Sequence, residues 1–502
     1  MNRRILAIPA LVAASISHAT AAGDRDLLKR IAAELRKQPG EHTAWELTEG
    51  NSLPADGFWL SPTDDRTQGD RLAHDIEYLI RRAQHTVDIA TMASIPDGLF
   101  ASEIRRGLEA LAKSGRPVTV RILIGNNSPT KMPDTRAFLR YLAPAVKGSP
   151  IKVLAGAVMT CGSACKGGLA ISLNHAKIVS IDGNEAIVGG HNLWNADYVT
   201  PTPIYDLTMH LVGPAAQAAE NFLAPMWHYV CTYSHHNAAG WSTYADTYSG
   251  TTDTMSSVCS YYPLSEKTPA GSGTIPALAV GRYGVGLMAV DPEIQWSDLV
   301  MQRVLESAQK TIRLSQQDLV SRLGNVNSYV LLPMAQLIQR GGDVYVVMTD
   351  PRATSSGGAG YGEGMTPLQT AAKIRTYVAT VMNKNPGDPA VRAAVCSHLH
   401  LGAVARFEGT TATNEWKDRR ILGNHAKMYM ADDHVFYIGS HNVYPMTLLE
   451  GAKDLLASNQ EFGYVVDDQA AAQDLLTRYW NPLWAPAEKL AVSGDMGSCK
   501  LP

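Results

Sequence analysis

The sequence predicts two related α/β halves in one chain, each a sheet covered by helices. A string of His, Lys, Asp and Asn occurs twice with the same internal spacing, and a similar series of helix and strand patterns precedes each copy. The 502 residues also exceed the roughly 250–300 at which one hydrophobic core stops growing. Two units, each with its own core, are therefore expected.

The first residues have the three regions of a secretory signal. Two arginines precede an apolar run from Ile5 to Ile16, and a small-residue stretch follows up to Ala22. We predict a signal peptide over residues 1–22 and a secreted mature protein, periplasmic or extracellular. The apolar run is too short to span a bilayer, and no later sequence of about 18 apolar residues predicts a membrane helix.

Residues 23–262 are predicted to form the first lobe. Helical spacing over 76–83 precedes a strand at 86–89, and a second helix precedes a strand at 118–122. The motif itself then predicts a strand hairpin that turns at Asp182. A further strand begins at Asp206, and an Ala-rich helix that ends near Trp227 follows it.

A segment rich in Pro, Gly, Ser and Thr, residues 263–276, is the predicted linker to the second lobe, residues 277–502. This lobe repeats the helix and strand pattern, its motif hairpin turns at Asp432, and a later helix ends near Trp484. Corresponding positions of the two motifs are 250 residues apart. Corresponding positions of the helices and strands that precede the motifs are only 225 or 226 residues apart. About 24 extra residues must therefore precede the second motif, and the Gly-rich stretch 355–364 is the loop predicted to hold them.

Composition favours disulfides and disfavours a polyanionic partner. The net charge is −3, and about −5 without the two arginines of the leader, which argues against nucleic acid as the main partner.

None of the six cysteines lies in a CxxC pair, and His398 and His400 have no carboxylate close in sequence, so a metal site is disfavoured. Six cysteines in an exported chain allow 15 pairings. The expected pairs are Cys161 with Cys165, Cys231 with Cys259, and Cys396 with Cys499.

The repeated motif supplies the groups needed to cleave a phosphodiester without a metal or another cofactor. One imidazole can attack phosphorus while the other, protonated, donates to the departing oxygen. An unperturbed pKa near 6.5 would let one histidine be neutral and the other charged. The ammonium and carboxamide groups would surround the non-bridging oxygens. The candidate catalytic residues are His175, Lys177, Asn192, His425, Lys427 and Asn442.

Four acidic residues are candidates to support the histidines. Asp206 and Glu461 begin otherwise apolar strands, and each is expected to hold an imidazole in one tautomer. Asp182 and Asp432 lie at hairpin tips, where a local turn role is favoured over a role in the chemistry. His191 and His441 precede the motif asparagines and should point to the other face of the strand.

With these residues in hand, the chain resembles the phospholipase D superfamily, and within it the secreted phospholipases D of Streptomyces. The resemblance runs nearly end to end and is clearest in the segments 174–177, 189–192, 213–216 and 436–445. It implies two α/β sandwich lobes, each a mixed sheet flanked by helices, related by a pseudo-twofold axis with one active site between them.

The resemblance also implies roles that the residues alone leave open. His175 would become the phosphohistidine and His425 would be the general acid. Asp206 and Glu461 would be the supporting acids, with residues 447–459 inserted before the second. The implied substrates are phosphatidylcholine or phosphatidylethanolamine, with alcohols able to replace water in a transphosphatidylation.

A lipase that works at a membrane or micelle surface needs apolar groups around its site. Trp194, Tyr198, Tyr444 and Met446 follow the motifs and are candidates for this rim, and a core position is the alternative. The protein is expected to be a monomer that binds phospholipid peripherally and binds no nucleic acid. The alternative functions are a metal-independent phosphodiesterase or nuclease of the same superfamily, and an exported binding protein without catalysis.

Overall fold

A computed structural model gives the fold. It describes residues 26–38, 44–62, 68–125, 133–161, 171–233, 244–248, 271–284, 286–287, 295–321, 326–353, 365–444, 459–493 and 499–501. The predicted signal peptide lies outside these residues.

Strands and helices alternate through most of the chain. Up to residue 248 the elements are α1 (Leu27–Leu35), β1 (Trp45–Asn51), β2 (Phe58–Ser61), α2 (Gln68–Ile80), β3 (Thr86–Thr91), α3 (Gly98–Lys113), β4 (Thr119–Gly125), α4 (Thr135–Val146), β5 (Lys152–Cys161), β6 (Ile171–Leu173), β7 (Ile178–Ile181), β8 (Glu185–Gly189), α5 (Asn195–Tyr198), β9 (Asp206–Val212), α6 (Ala215–Tyr233) and β10 (Tyr244–Tyr248).

The second part of the chain repeats this alternation. Its elements are β11 (Ile275–Arg282), α7 (Trp296–Ser307), β12 (Thr311–Gln316), α8 (Ser328–Gln339), β13 (Asp343–Met348), α9 (Pro367–Val381), α10 (Pro389–His398), β14 (Leu399–Ala403), β15 (Arg406–Glu408), β16 (Thr411–Thr413), β17 (Lys427–Ala431), β18 (Val435–Gly439), β19 (Glu461–Asp467), α11 (Gln469–Leu475), a π-helical turn (Leu476–Trp480) and α12 (Asn481–Glu488).

Two large mixed sheets share one strand order, which confirms the predicted fold class. The first sheet runs β10-β5-β4-β3-β7-β8-β9-β2, and the second runs β1-β11-β19-β18-β17-β12-β13-β14. The order β5-β4-β3-β7-β8-β9 matches β14-β13-β12-β17-β18-β19, with parallel and antiparallel pairs at equivalent places. The two lobes are therefore copies related by pseudo-twofold symmetry.

The predicted start of each half, helix, strand, helix and strand, is confirmed by α2 to β4 and by α7 to β13. The central strands of the first sheet, β3 and β4, are buried on both faces, as expected for parallel strands covered by helices. The predicted motif hairpins are confirmed as β7 with β8 and β17 with β18. The strands expected after them are β9 and β19.

The N-terminal segment joins the second sheet, although the predicted lobe boundary places it with the first lobe. Strand β1 pairs antiparallel with β11, with Trp45 opposite Val280. Helix α1 lies beside α7, where Glu34 accepts a 2.7 Å hydrogen bond from Arg303. The predicted linker also ends inside a strand, because β11 begins at Ile275. The lobe boundaries otherwise stay a prediction.

The extra residues of the second half lie before β14. This strand begins 51 positions after β13 ends, whereas β5 begins 27 positions after β4 ends. Among the described residues, the longer connection carries two helices, α9 and α10, and the corresponding connection of the first half carries one, α4. The predicted Gly-rich loop at 355–364 lies outside the described residues.

The largest hydrophobic core is continuous across the two lobes. The ring of Phe222 on α6 stacks on Tyr283 of the second lobe with centroids 4.9 Å apart. The hydroxyl of Tyr464 donates to the carbonyl of Ala215 at 2.8 Å. A smaller core lies between the first sheet and α2, α3 and α4. Shared apolar packing of this kind fixes the lobes against each other.

The predicted disulfide between Cys396 and Cys499 is confirmed. Cys231 is also disulfide-bonded, but the predicted pairs Cys161 with Cys165 and Cys231 with Cys259 include side chains outside the described residues. Over the described helices, none is long and apolar enough to cross a membrane.

Candidate active site

The two motif histidines, 250 positions apart in sequence, meet at the interface of the lobes. The ring centroids of His175 and His425 are 6.4 Å apart, and the ring planes are inclined by 74°. Both side chains are buried, with 6% and 4% of the residue surface exposed. The structure thus brings the two motifs into one site.

Backbone hydrogen bonds between the lobes set this approach. His175 donates its N–H to Gln460 at 2.9 Å, and His425 donates its N–H to Tyr205 at 2.7 Å. The two contacts belong to short parallel bridges at equivalent positions in the two lobes. Each histidine therefore hydrogen-bonds to the residue that precedes a strand of the opposite lobe, β19 for His175 and β9 for His425.

Each histidine is held by the acid of the other lobe. Nδ1 of His175 lies 2.9 Å from Oε2 of Glu461, and Nδ1 of His425 lies 2.9 Å from Oδ2 of Asp206. The sequence had indicated both acids but not this exchange between lobes. With Nδ1 engaged, Nε2 is the nitrogen that each imidazole has for a substrate.

A hydroxyl group supports each carboxylate, and the sequence analysis assigned neither. Ser440 donates to Oε2 of Glu461 at 2.5 Å, and Tyr198 donates to Oδ2 of Asp206 at 2.7 Å. Alignment of the motif turns, where Ser440 occupies the place of Gly190, was the signal that could have found the serine. Tyr198 gave no comparable signal.

The motif lysines turn back onto the histidine backbone. Nζ of Lys177 donates to the carbonyl of His175 at 2.6 Å, and Lys427 donates to the carbonyl of His425. Both lysines are buried, with 4% and 1% of the residue surface exposed. The spacing of two positions within each motif thus places each ammonium group on the backbone carbonyl of its own histidine.

The motif asparagines are also buried at the ends of the hairpins. The carboxamide oxygens of Asn192 and Asn442 have no hydrogen-bond partner among the described residues. Buried amide groups without partners are uncommon, and they often indicate a place where a ligand binds. These two groups are the remaining members of the predicted catalytic set.

Burial dominates the electrostatics of the histidines and lysines. It lowers the pKa of His175 to about 4 and the pKa of His425 to about 3, although the paired carboxylates act in the opposite direction. Burial also lowers the pKa of Lys177 to about 7 and that of Lys427 to about 8. Both imidazoles are therefore neutral at neutral pH, which corrects the expectation of one neutral and one charged histidine.

The paired acids remain ionised. Burial alone would raise their pKa values, but the facing histidines outweigh it. The charges of His191 and His425 lower the pKa of Asp206, and His175 lowers that of Glu461 to about 2. Where the pH is below the pKa values of both lysines, the site therefore contains two ammonium groups, two carboxylates and two neutral imidazoles.

Comparisons with known proteins find similar sequences. Residues 76–205 match a family model described as cardiolipin synthase, PLD-like domain. The chain is 29% identical over 518 aligned positions to a phospholipase D of Streptomyces antibioticus, with 91% of this chain and 86% of that protein covered. These matches support a relationship to the phospholipase D superfamily. The chain is an enzyme of the phosphodiesterase type.

One solved structure has a similar overall fold. The crystal structure of phosphatidylserine synthase from Haemophilus influenzae Rd KW20 matches with a TM-score of 0.52 and 12% identity over 92% of each chain. At this identity the likeness concerns the fold alone.

The aspartates of the superfamily motif lie away from the histidines. The carboxylate of Asp182 accepts the backbone N–H groups of Gln84, His85 and Thr86 at 2.7–2.8 Å. Asp432 accepts three backbone N–H groups of residues 309–311 at 2.7–2.9 Å. Both residues therefore fasten a hairpin tip to the loop before β3 or β12, and the structure does not bring them to the imidazoles.

Two of the four predicted rim residues are buried, which corrects their assignment. Tyr198 supports Asp206, and the hydroxyl of Tyr444 donates to Gln317 at 3.2 Å. Trp194 is partly exposed and stays a rim candidate. Met446 lies outside the described residues.

The remaining histidines take other roles. Nδ1 of His191 lies 2.8 Å from the Thr208 hydroxyl, and Nε2 of His441 lies 3.3 Å from Nη1 of Arg282. His398 and His400 both contact Oδ1 of Asp343, a carboxylate close in space but not in sequence. Within the described ranges, no group of three or more His, Cys, Asp or Glu residues is placed to hold a metal ion.

Proposed function

We propose that this protein is a secreted phospholipase D. It hydrolyses the distal phosphodiester bond of glycerophospholipids, phosphatidylcholine or phosphatidylethanolamine, to phosphatidic acid and the free head-group alcohol. One observation carries the proposal: two imidazoles face each other at 6.4 Å, each with Nδ1 on a carboxylate of the other lobe. Two such groups on opposite sides of a phosphorus atom suit an in-line displacement.

The first step forms a covalent intermediate. Nε2 of His175 attacks phosphorus, and the bond from phosphorus to the head-group oxygen breaks. That oxygen takes the proton of Nε2 of His425, so the head group leaves with a neutral hydroxyl group and not as an alkoxide. Glu461 stabilises the positive charge that develops on His175 through the 2.9 Å contact to Nδ1.

The second step releases the lipid. His425, now neutral, takes a proton from a water molecule as the water oxygen attacks phosphorus. The bond from phosphorus to Nε2 of His175 breaks, and phosphatidic acid leaves. An alcohol in place of water would give a new phosphodiester by the same step, which is transphosphatidylation.

The lysines and asparagines stabilise the anionic phosphoryl group in both steps. Each ammonium group is held by one backbone carbonyl and keeps its other N–H donors for phosphate oxygens. The carboxamide groups of Asn192 and Asn442 supply further donors. These four groups, two ammonium and two carboxamide, would surround one phosphoryl group and take the place that a divalent cation has in other phosphoryl-transfer sites.

Export and peripheral membrane action complete the proposal. The disulfide between Cys396 and Cys499 is stable only in an oxidising compartment, and the first 22 residues have the pattern of a secretory signal. The similarity to a Streptomyces phospholipase D over 91% of the chain supports the same activity.

The substrate test uses purified protein with phosphatidylcholine vesicles and with plasmid DNA, both in EDTA. Release of choline with formation of phosphatidic acid is expected. Nicking of the plasmid without choline release would instead indicate a nuclease, and neither reaction would indicate a binding protein.

The two histidines provide the test of the site. His175→Ala and His425→Ala are each expected to lower kcat by at least about a thousandfold, because each step needs both imidazoles. Circular dichroism should show an unchanged fold. His434→Ala is the matched control, since this histidine pairs with Asp467 at a hairpin tip and should leave kcat unchanged. Near-normal activity in either catalytic variant would contradict the proposed site.

A further inference from the structure

We propose that the carboxamide of Asn459 donates a hydrogen bond to an acyl ester carbonyl of the phospholipid substrate. The enzyme would thus distinguish diacyl phospholipids from phosphodiesters that carry no ester group next to the phosphoryl group. The inference rests on the proposed function, because it takes a phospholipid to lie between His175 and His425 with its head group toward His425.

The Asn459 side chain is buried and has no hydrogen-bond partner for its oxygen. Only 3% of the residue surface is exposed, and Oδ1 is buried without a partner among the described residues. The motif asparagines, Asn192 and Asn442, have the same two properties. Burial of an amide without a partner is unfavourable, and such a group often faces a ligand. Asn459 is therefore a third carboxamide of the same kind, outside the two motifs.

The backbone places this carboxamide on the His175 side of the cleft. Gln460 forms a parallel bridge with Asn174 and accepts the N–H of His175 at 2.9 Å. The Glu461 carboxylate lies 2.9 Å from Nδ1 of the same histidine. In extended backbone, side chains two positions apart point to the same face. Asn459 therefore shares a face with Glu461, at the point where the chain enters β19.

The first lobe shows that the fold does not need a polar side chain at this place. The bridges at the two motif histidines put Tyr205 where the second lobe has Gln460, so Ile204 corresponds to Asn459. Ile204 is buried in the smaller hydrophobic core. The place beside the second motif histidine is thus apolar, and of the two only the place beside the first carries a carboxamide. A contact with substrate accounts for this difference, because an amide buried without a partner lowers stability.

The proposed chemistry decides which part of the substrate this group meets. In-line displacement puts the departing head group next to His425, on the side opposite His175. The ammonium and carboxamide groups of the motifs surround the non-bridging oxygens. The part left for a group on the His175 side is the diacylglycerol, which stays on phosphorus until the second step. Its ester carbonyls lie a few bonds from phosphorus and only accept hydrogen bonds, so a neutral N–H donor is their complement.

The test compares two lipids that differ only in the glycerol linkage. Diacyl phosphatidylcholine carries ester carbonyls, and dialkyl phosphatidylcholine of the same chain length carries ether oxygens in their place. Both are presented in mixed detergent micelles, and choline release gives kcat/KM for each. The wild type should prefer the ester lipid by about tenfold, the usual size for one hydrogen bond whose loss leaves a buried group unpaired.

Asn459→Leu should abolish this preference. The variant has the apolar character that Ile204 has in the first lobe, so kcat/KM should fall about tenfold for the ester lipid and stay within about twofold for the ether lipid. Its thermal midpoint should be equal to that of the wild type or higher, which a structural role of the carboxamide would not give. Asn459→Ala tests the same point if the first variant does not fold. Asn221→Leu is the matched control, since Asn221 pairs with Gln217 on α6 and should leave the preference unchanged.

The outcomes separate this inference from the proposed function. Choline release by the wild type without an ester preference, or a preference that Asn459→Leu retains, would overturn the inference and leave the proposed function intact. An equal fall of kcat/KM on both lipids would place the carboxamide at the phosphoryl group and would also overturn the ester contact. No release of choline from either lipid by the wild type would overturn the proposed function and the inference together.

Discussion

Gly190 and Ser440 occupy equivalent positions in the two motifs, yet the two half-sites use them differently. A Cβ atom on Gly190 would lie 1.9 Å from Oδ1 of Asp206, which leaves no room for any side chain. At Ser440 a side chain is present and donates to Glu461 at 2.5 Å. Both half-sites therefore hold the acid by a hydroxyl group, from Tyr198 or from Ser440, but only in the half-site of His425 is the acid also packed against the motif turn.

Gly190→Ala should separate these two modes. The new methyl group must displace Asp206 from Nδ1 of His425, so we expect kcat to fall by about a hundredfold or more. Ser440→Ala is the matched variant, because it loses one hydrogen bond but creates no clash, and a fall of about tenfold is expected. Steady-state kinetics on phosphatidylcholine measures both. Equal effects of the two substitutions would contradict the packing argument.

Glu220 is a buried acid that takes no part in the site. Its carboxylate accepts from the Thr86 hydroxyl at 2.9 Å and from the Gly183 N–H at 2.8 Å. Burial, and then the negative charge of Asp88, raise its pKa to about 7, although Arg121 acts in the opposite direction. The acid is therefore protonated in the folded protein well above the pH at which it ionises in an unfolded chain.

Glu220→Gln should remove a pH dependence of stability. The contribution of Glu220 is fully present below pH 4.5 and is lost as pH rises through about 7, because the folded pKa lies above the unfolded value. Over this range the unfolding free energy of the wild type should fall by about 3 kcal/mol because of Glu220. The unfolding free energy of the variant should not show this fall. Urea unfolding at pH 5 and pH 8 measures the difference. Parallel pH profiles for the two proteins would refute the expectation.

The hairpin is the element that carries each motif, and its aspartate serves the fold. Asp182 and Asp432 have left-handed backbone conformations, with φ of 55° and 51°. Each carboxylate accepts three consecutive backbone N–H groups of the segment that enters the central strand of its sheet. The hairpin register, and with it the position of the histidine at the other end, depends on this attachment.

Asp182→Ala should therefore reduce stability more than turnover. The loss of three charge-assisted hydrogen bonds and the strain of alanine at positive φ should lower the unfolding free energy by about 3 kcal/mol. At temperatures where the variant is folded, kcat should remain within roughly twofold of the wild type. Asp182→Asn keeps one acceptor and tolerates the turn, so it should cost less. A large loss of kcat without destabilisation would place this aspartate in the chemistry.

The local elements were predictable because their signals are local. Helical spacing over 76–83 and 301–308 and the two motif hairpins depend on side chains a few positions apart. The pairing of β1 with β11, more than 220 positions away, leaves no such signal. The Gly-rich stretch drew attention to residues 355–364, while the added length before β14 includes a second helix, α10.

At the scale of the whole molecule, the disulfide closes a long loop. Cys396 and Cys499 are 103 positions apart, and the bond ties the C-terminal residues to α10. By loop-closure entropy, the double variant Cys396→Ser/Cys499→Ser should lose about 4–5 kcal/mol of unfolding free energy. Guanidinium unfolding of both proteins without reductant measures it. An unchanged midpoint would show that the C-terminal residues contribute nothing to global stability.

The candidate site was largely predictable in its members but not in its connections. The repeat indicated the histidines, lysines and asparagines, and isolated acids on apolar strands indicated Asp206 and Glu461. No sequence pattern shows that each acid serves the other lobe, or that burial is deep enough to keep both imidazoles neutral. Both properties arise from how the two halves are assembled, as does the burial of Tyr198 and Tyr444.

The exchange of acids between the lobes sets an order of events during synthesis. A ribosome that has completed the first motif has produced His175 but not its carboxylate, since Glu461 lies 286 positions later. Strand β1 likewise waits for β11, and β11 waits for β19. A nascent chain that stops before β19 contains two histidines and only one supported imidazole. The complete site, with a carboxylate on each histidine, therefore forms only near the end of translation.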